Sequence, residues 1–248
     1  MEIHHHPRVE KKKLKEYFLE FLMIFLAVTL GFFAENLREH RADKEKAEQY
    51  VRSFYEDLKT DTARLNYLID FETKKIASMN VLQRSYDSIL KNQAPLSELI
   101  IIKNSLSNNP FYLNGRTFEQ LTNAGGFRLL EDADADSIIS YQTIGRNMEN
   151  YQATLYQQSQ DNLRNAFNDA VDFVGYSNLY SDVANNPLPD ATEIKNQLLS
   201  TDKPVLNKYF NNLFQYLRVI VQHRNGLKRV DSRAVQQLAY FKNKYHFE

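Results

Sequence analysis

The sequence contains no cysteine and no tryptophan, and only 7 of its 248 residues are glycine and 6 are proline. Without cysteine the chain has no disulfide, thiolate nucleophile or thiolate metal ligand, although it fits cytoplasm and periplasm equally well. Few glycines and prolines, with 15 tyrosines and 16 phenylalanines to fill a core, favour long regular elements over a loop-rich β architecture.

Functional signatures are equally scarce. The 31 basic and 31 acidic residues balance, so we expect no nucleic-acid partner. The sequence has no G-x-S-x-G, P-loop, glycine-rich dinucleotide loop or paired histidines at i, i+4. We therefore expect neither an enzyme nor a cofactor-binding protein.

One long apolar run lies near the N-terminus. Residues 17–34 read YFLEFLMIFLAVTLGFFA, with Glu20 as the one charged side chain. At 1.5 Å per residue they span about 27 Å, close to the thickness of a bilayer's hydrocarbon core. Their Leu, Ile, Phe and Val side chains favour insertion by roughly 5 kcal/mol, against ~2–3 kcal/mol for Glu20 at the bilayer centre. We predict a transmembrane helix over residues 17–35.

Two alternatives fit this run less well. A buried core helix of this length normally shows a polar face, and the run has none. A cleavable signal peptide needs small residues at positions −3 and −1, whereas Phe32 precedes Ala34 here. An uncleaved signal anchor remains the favoured interpretation.

Flanking charges predict the orientation of the anchor. Five basic residues precede it in the N-terminal tail, and four follow it between residues 38 and 46. Positive charge is retained on the cytoplasmic side, so we expect residues 1–16 to form a short basic cytoplasmic tail at the inner membrane. Residues 36–248 would then be a helical extracytoplasmic domain in the periplasm.

A stripe along the anchor carries Glu20, Ala27, Gly31 and Glu35. Ala27 and Gly31 form a small-xxx-small pair, which lets two helix backbones approach closely. This favours a homo-oligomer in which Glu20 is shielded or hydrogen-bonded. A solitary anchor whose Glu20 reaches interfacial water fits equally well.

Proline positions divide the rest of the chain, because proline inside a helix costs about 3 kcal/mol. None occurs between Pro7 and Pro95, between Pro110 and Pro187, or after Pro204. Apolar residues at helical spacing predict long helices over 35–91, over 135–174 with Leu155 in its stripe, and from Pro204 onward, with a possible break at Asn225-Gly226.

The connections hold shorter elements. We predict short helices over 95–106 and 117–123, the latter closed by Gly125-Gly126, and a loop with a possible helical turn over 175–203. The fold class is all-α: an N-terminal transmembrane helix that continues into an elongated antiparallel bundle of three long helices plus short helices.

The acidic run at Asp132, Asp134 and Asp136 resembles the start of a calcium loop, but Ser137 replaces the required glycine and Thr143 the bidentate glutamate. We favour a loop in which Asp134 or Asp136 caps the second long helix. His4, His5 and His6 are weak metal candidates in a tail. His40, His223 and His246 are interpreted as scattered at helix surfaces or the C-terminus, and Arg116 and Thr117 could line an anion site or simply follow a turn.

Three stretches carry a resemblance: MEIHHHPRVEKKKLKEYFLEFLMIFLAVTLGFFAENLREH at the N-terminus, TFEQLTNAGGFRLLEDADADSIISYQ in the middle and FKNKYHFE at the end. Together they resemble an uncharacterised family of single-pass helical membrane proteins common in Bacteroidota. The resemblance implies an inner-membrane anchor with a helical domain and a native histidine run, and it implies no activity.

Two functional hypotheses follow. The first is a membrane-anchored interaction or scaffold protein of the cell envelope, which self-associates through its anchor or binds an envelope partner. The second is a transmembrane sensor or stator-like subunit that uses Glu20 and relies on a partner for its output. A periplasmic hydrolase would need a polar pocket, which the sequence does not indicate.

Overall fold

The computed structural model describes residues 14–95, 98, 101–173, 176 and 199–247. These residues contain no β-strand, apart from one isolated bridge between Val171 and Leu199. They divide into two compact units, Met1–Tyr50 and Val51–Glu248. The all-α prediction is confirmed.

The first unit contains the N-terminal part of helix α1, which spans Leu14–Arg84. Gly31 is its only glycine and it has no proline, so nothing in the sequence interrupts the helix. Its apolar stretch is long and apolar enough to cross a membrane, and 0% of that stretch is buried. The possibility of a core helix packed within this chain is therefore excluded.

The second unit contains six further α-helices among the described residues. They are α2 (Tyr86–Leu90), α3 (Ile101–Ser105), α4 (Arg116–Asn123), α5 (Asp132–Tyr151), α6 (Gln157–Ala170) and α7 (Lys203–Tyr245). A 3₁₀ turn over Gly126–Leu129 follows Gly125, whose φ of 61° suits glycine. A π-helical turn, Gln152–Tyr156, joins α5 to α6. The long helices predicted over 35–91, over 135–174 and from Pro204 are thus present. The first is divided between Arg84 and Tyr86, and the second is divided by the π-helical turn.

Buried residues on α1 and α7 follow a spacing of three and four. Those of α1 include Val51, Phe54, Leu58, Asp61, Leu65, Leu68, Glu72, Lys75, Met79 and Leu82. Those of α7 include Leu206, Tyr209, Leu213, Tyr216, Ile220, His223, Leu227, Val230, Ala234, Gln237 and Phe241. This is the heptad pattern of a packed bundle, in which polar residues occupy several core positions.

Contacts between side chains give the helix directions within the second unit. Phe54 packs against Phe241, and Glu72 lies against His223, so α7 runs antiparallel to α1. α7 also runs antiparallel to α5 and α6, because Gln237 bonds Ser137 whereas Lys208 pairs with Asp169.

The first and second long helices run in the same direction, because the segment between them returns along α1. Asn109 bonds Tyr67 of α1, and further along the segment Thr117 bonds Asp57. The short helices therefore belong to a descending connection, and α1 and α5 can both pack antiparallel to α7.

The π-helical turn corrects one sequence expectation. Leu155 was expected in the apolar stripe of the second long helix, but it is 53% exposed, whereas Tyr156 is 1% exposed. A π turn adds a residue to the helical repeat, so the buried face moves forward by one position. From Tyr156 the buried positions continue through Gln160, Leu163 and Phe167.

Helix α7 shows no break at Asn225-Gly226. Gly226 is buried where α7 meets α5, and a Cβ at this position would lie 2.5 Å from Sδ of Met148. The glycine therefore lets α5 and α7 approach closely, in spite of a helix-propensity cost of about 1 kcal/mol.

Candidate functional site

The four anchor residues all lie on the first part of α1 and are exposed. No atom lies within 4 Å of a Cβ built on Gly31, so this face is open in the single chain. Glu35 forms an ion pair with Arg38, with 2.5 Å between the nearest charged atoms. The structure therefore places Glu20, Ala27 and Gly31 on an accessible apolar helix, and Glu35 in a local ion pair at its end.

A buried polar network occupies the middle of the second unit. Nδ1 of His223 lies 2.6 Å from Oε1 of Glu72, and the exposed fractions of these side chains are 1% and 3%. One turn along α1, Nζ of Lys75 donates to the hydroxyl of Tyr216 at 2.8 Å and to the Ser107 carbonyl. The Tyr216 hydroxyl donates to that of Tyr156 at 3.2 Å.

The π-helical turn positions this network. Tyr156 ends the turn, and its ring packs 4.8 Å from the ring of His223 and 5.5 Å from that of Tyr216. Tyr151, just before the turn, stacks on His223 at 6.2 Å. The extra residue of the turn therefore brings Tyr156 toward α7 rather than Leu155.

Burial changes the acid–base behaviour of the network. Desolvation lowers the pKa of Lys75 to about 7, partly opposed by the charge of Glu72. Desolvation also raises the pKa of Tyr156, and burial together with Tyr156 raises the pKa of Tyr216. A carboxylate, an imidazole, an amine and two phenols could exchange protons chemically, but a substrate could reach them only if the helices separated. We interpret the network as a device that fixes helix register.

No protein-family model matches this chain. No curated protein or solved structure matches it either. The resemblance to the Bacteroidota family therefore stays a prediction, and the function must be argued from the geometry of the chain itself.

A second buried polar group lies at Arg116 and Thr117, which the sequence suggested as either an anion site or a simple turn. The anion bound there is the carboxylate of Asp57, itself 1% exposed. Oδ2 accepts from the backbone N–H of Thr117 at 3.1 Å and from its hydroxyl at 2.5 Å, while Oδ1 accepts from Arg116 at 3.1 Å and from the side chain of Asn114 at 3.0 Å. The N-terminus of α4 is thus satisfied within the chain.

Asp61 lies one turn further along α1. It accepts a hydrogen bond of 2.9 Å from the Tyr141 hydroxyl and one of 3.1 Å from the backbone N–H of Asn114. Desolvation raises the pKa of Asp61 to about 6 even though both bonds favour the charged form. Asp57 and Asp61 together fasten the descending connection to α1.

The acidic run is neither a cap nor a calcium loop in this structure. Helix α5 begins at Asp132 after Glu131, which has extended φ/ψ, and no side chain caps it. Asp134 lies inside the first turn and is fully buried, so the expectation that it caps the helix is wrong. It accepts from the Tyr240 hydroxyl at 2.8 Å, from Lys244 at 2.8 Å and from the Tyr245 hydroxyl at 2.5 Å. Asp134 therefore anchors the end of α7.

Asp132 and Asp136, the other weak metal candidates within the described residues, share no site with further ligands. Both side chains are exposed. Asp136 lies inside α5, beyond its N-cap position at Glu131, so it does not cap the helix either. In the described part of the chain no three His, Asp or Glu side chains could hold a metal ion together. His4, His5 and His6 lie outside the described residues. His40 and His246 are exposed, as expected, but His223 is buried, which corrects its assignment to a helix surface.

Sequence reasoning missed Glu72, Lys75 and His223 as one group. The available signal was their register: Glu72 and Lys75 continue the spacing of Leu65 and Leu68, and His223 lies three residues after Ile220. A polar residue at such a position is expected to be buried with a partner.

Proposed function

We propose that this chain is a single-pass inner-membrane protein whose helical domain binds partners in the cell envelope. The observation that carries the proposal is the apolar stretch of α1, of which 0% is buried within the chain. An exposed apolar surface of this size would aggregate in water, whereas a bilayer solvates it.

The domain's organisation supports a binding role rather than catalysis. Two of its ionisable groups with displaced pKa values, Lys75 and Asp61, point into the core, where they bond Tyr216 and Tyr141. Ionisable groups at an active site would instead face a cleft. Self-association through the anchor is the second part of the proposal, because Gly31 lies on an open face.

Membrane extraction tests the anchoring. The full chain should remain in the membrane pellet after carbonate washing, and a variant that lacks residues 17–34 should be released. A C-terminal alkaline phosphatase fusion should be active, because we place the domain in the periplasm. Release of the full chain by carbonate would overturn the membrane anchoring. The proposed orientation would be overturned if the phosphatase fusion were inactive and a separate C-terminal fusion to a fluorescent protein, which reports a cytoplasmic location, were fluorescent.

Cysteine crosslinking tests self-association, and the cysteine-free sequence gives no background. Gly31→Cys and Ala27→Cys should form disulfide dimers in oxidised membranes. Phe25→Cys, on the opposite face of α1, is the control and should stay monomeric. Equal crosslinking on both faces, or none on either, would refute the proposed dimer face without affecting the anchor.

A further inference from the structure

An open groove runs between α5 and α7 in the second unit. Its larger cavity has a volume of about 590 Å³. Asn147, Met148 and Tyr151 line it from α5, and Gln222, Asn225, Arg229 and Val230 line it from α7, so the lining is apolar as well as polar. The hydroxyl of Tyr151 donates to Oε1 of Gln222 at 3.0 Å, so the two sides are already connected.

The α7 side of the first cavity is basic. Helix α7 has no aspartate or glutamate before Asp231, but it has six lysines and arginines over the same span. Arg229 lines the groove and is exposed, and Arg218 and Lys228 are exposed on the same stretch of α7. Among the described residues no ion pair neutralises these three, whereas Lys208 is paired with Asp169 at 2.7 Å. The α7 side of the groove is therefore bordered by positive charge, whereas the α5 side carries Asp136 at the second cavity described below.

The chemistry of the lining suits a polypeptide. Each amide side chain of Asn147, Gln222 and Asn225 offers both a donor and an acceptor, as a peptide backbone requires. An arginine such as Arg229 can bind a carboxylate through two parallel hydrogen bonds.

Further along α7 a second cavity of about 440 Å³ is lined by Arg233, Gln236 and Gln237 from α7 and by Asp136 from α5. Gln237 is 2% exposed, and its Oε1 has no hydrogen-bond partner in the described part of the chain. Its Nε2 donates to the Ser137 carbonyl at 2.5 Å. From Gln222 to Tyr240 the α7 side of the groove is about 27 Å long, which is enough for an extended segment of roughly eight residues.

We propose that the α5–α7 groove binds an acidic, extended segment of an envelope protein. This inference rests on the proposed function, which it deepens by giving the partner's chemistry. Carboxylates of the segment pair with Arg229 and Arg233, and its backbone bonds the amides between them. The cationic border raises the association rate and makes it sensitive to salt.

Fluorescence anisotropy on the full chain in phosphatidylcholine nanodiscs tests the proposal. The probe is a fluorescein-labelled ten-residue peptide that alternates glutamate and threonine. It should bind saturably, and Arg229→Glu should weaken binding at least about tenfold. Lys242→Glu makes the same charge change on another face of α7 and should leave the affinity within about twofold.

Three results would overturn the inference: no saturable binding, equal weakening by Arg229→Glu and Lys242→Glu, or equal binding of a peptide with lysine in place of glutamate. Binding of phosphatidylglycerol vesicles or inorganic phosphate that depends on Arg229, without peptide binding, would assign the groove to another anion and overturn it too. Carbonate extraction is read separately on the membranes from which the chain is purified, so a failed groove and a failed anchor are distinguishable.

Discussion

Replacing Lys75 by methionine gives the most quantitative test of the buried network. The ammonium group loses its hydration on folding, and its pKa falls from 10.5 to about 7. Between these two values the folded chain binds fewer protons than the unfolded chain, so stability rises with pH across this window. Below pH 7 the full cost of burying the charge is present.

The magnitude follows from the two pKa values. Folding with Lys75 buried costs about 4 kcal/mol at pH 7 and about 2 kcal/mol at pH 9. Methionine has a similar shape and no charge, but it leaves the Ser107 carbonyl and the Tyr216 hydroxyl without the donor that Lys75 provides. That loss of about 1–3 kcal/mol does not depend on pH in this range.

Lys75→Met should therefore equal or exceed the wild type in stability at pH 7, and its relative stability should fall by about 2 kcal/mol between pH 7 and pH 9. Urea unfolding in a mild detergent, followed by far-ultraviolet circular dichroism, measures this difference. Lys74→Met is the matched control, because the Lys74 side chain is 76% exposed and pairs only with exposed Asp70 among the described residues. Parallel wild-type and Lys75→Met curves from pH 7 to pH 9 would refute the reasoning.

Three further predictions concern single positions. The pKa of Asp61 is raised from 3.8 to about 6, so its burial lowers the stability of the fold as pH rises through that window. Asp61→Asn should remove up to about 3 kcal/mol of this pH dependence. Urea titrations from acid to neutral pH measure it, and an unchanged profile would contradict the prediction. Gly226→Ala should destabilise the domain by about 1–3 kcal/mol, because the added Cβ clashes with Met148. Adding Met148→Ala to the same chain should recover part of that loss. Thermal melts in which Gly226→Ala is neutral would argue against close packing of α5 on α7 at this position. Glu20→Gln should leave carbonate extraction and crosslinking unchanged if the anchor only tethers the domain, whereas a lost cellular function with intact insertion would favour the proton-coupled sensor or stator-like subunit.

The sequence predicted the helical class and the long helices because proline positions and apolar spacing act locally. A stretch without proline and with a repeated apolar face has few alternatives to a helix. The same reasoning placed the start of the third helix near Pro204, one residue after its observed start at Lys203.

The polar core could not be predicted, because its partners are far apart in the chain. Glu72 and His223 are separated by 151 residues, and Asp57 and Thr117 by 60. A lone sequence shows that each residue is polar but not which groups satisfy it after folding. For this reason His223 was assigned to the surface and Asp134 to a helix cap.

The π turn was missed for a different reason. Both a regular α-helix and a helix with one added residue fit the run from Tyr151 to Leu163, since apolar side chains occur at both Leu155 and Tyr156. Tertiary packing decides between them, because Tyr156 can reach Tyr216 and His223 from the buried face.

Labelling of single cysteines in whole cells tests the central claim, that the apolar part of α1 lies in a bilayer and the domain lies beyond it. The cysteine-free chain allows Ile24→Cys within the apolar stretch and Ala63→Cys on the exposed side of the domain. After the outer membrane is permeabilised, a membrane-impermeant maleimide should label Ala63→Cys at once and Ile24→Cys only after denaturation. Rapid labelling of Ile24→Cys in the native state, or protection of Ala63→Cys until the inner membrane is lysed, would contradict the account.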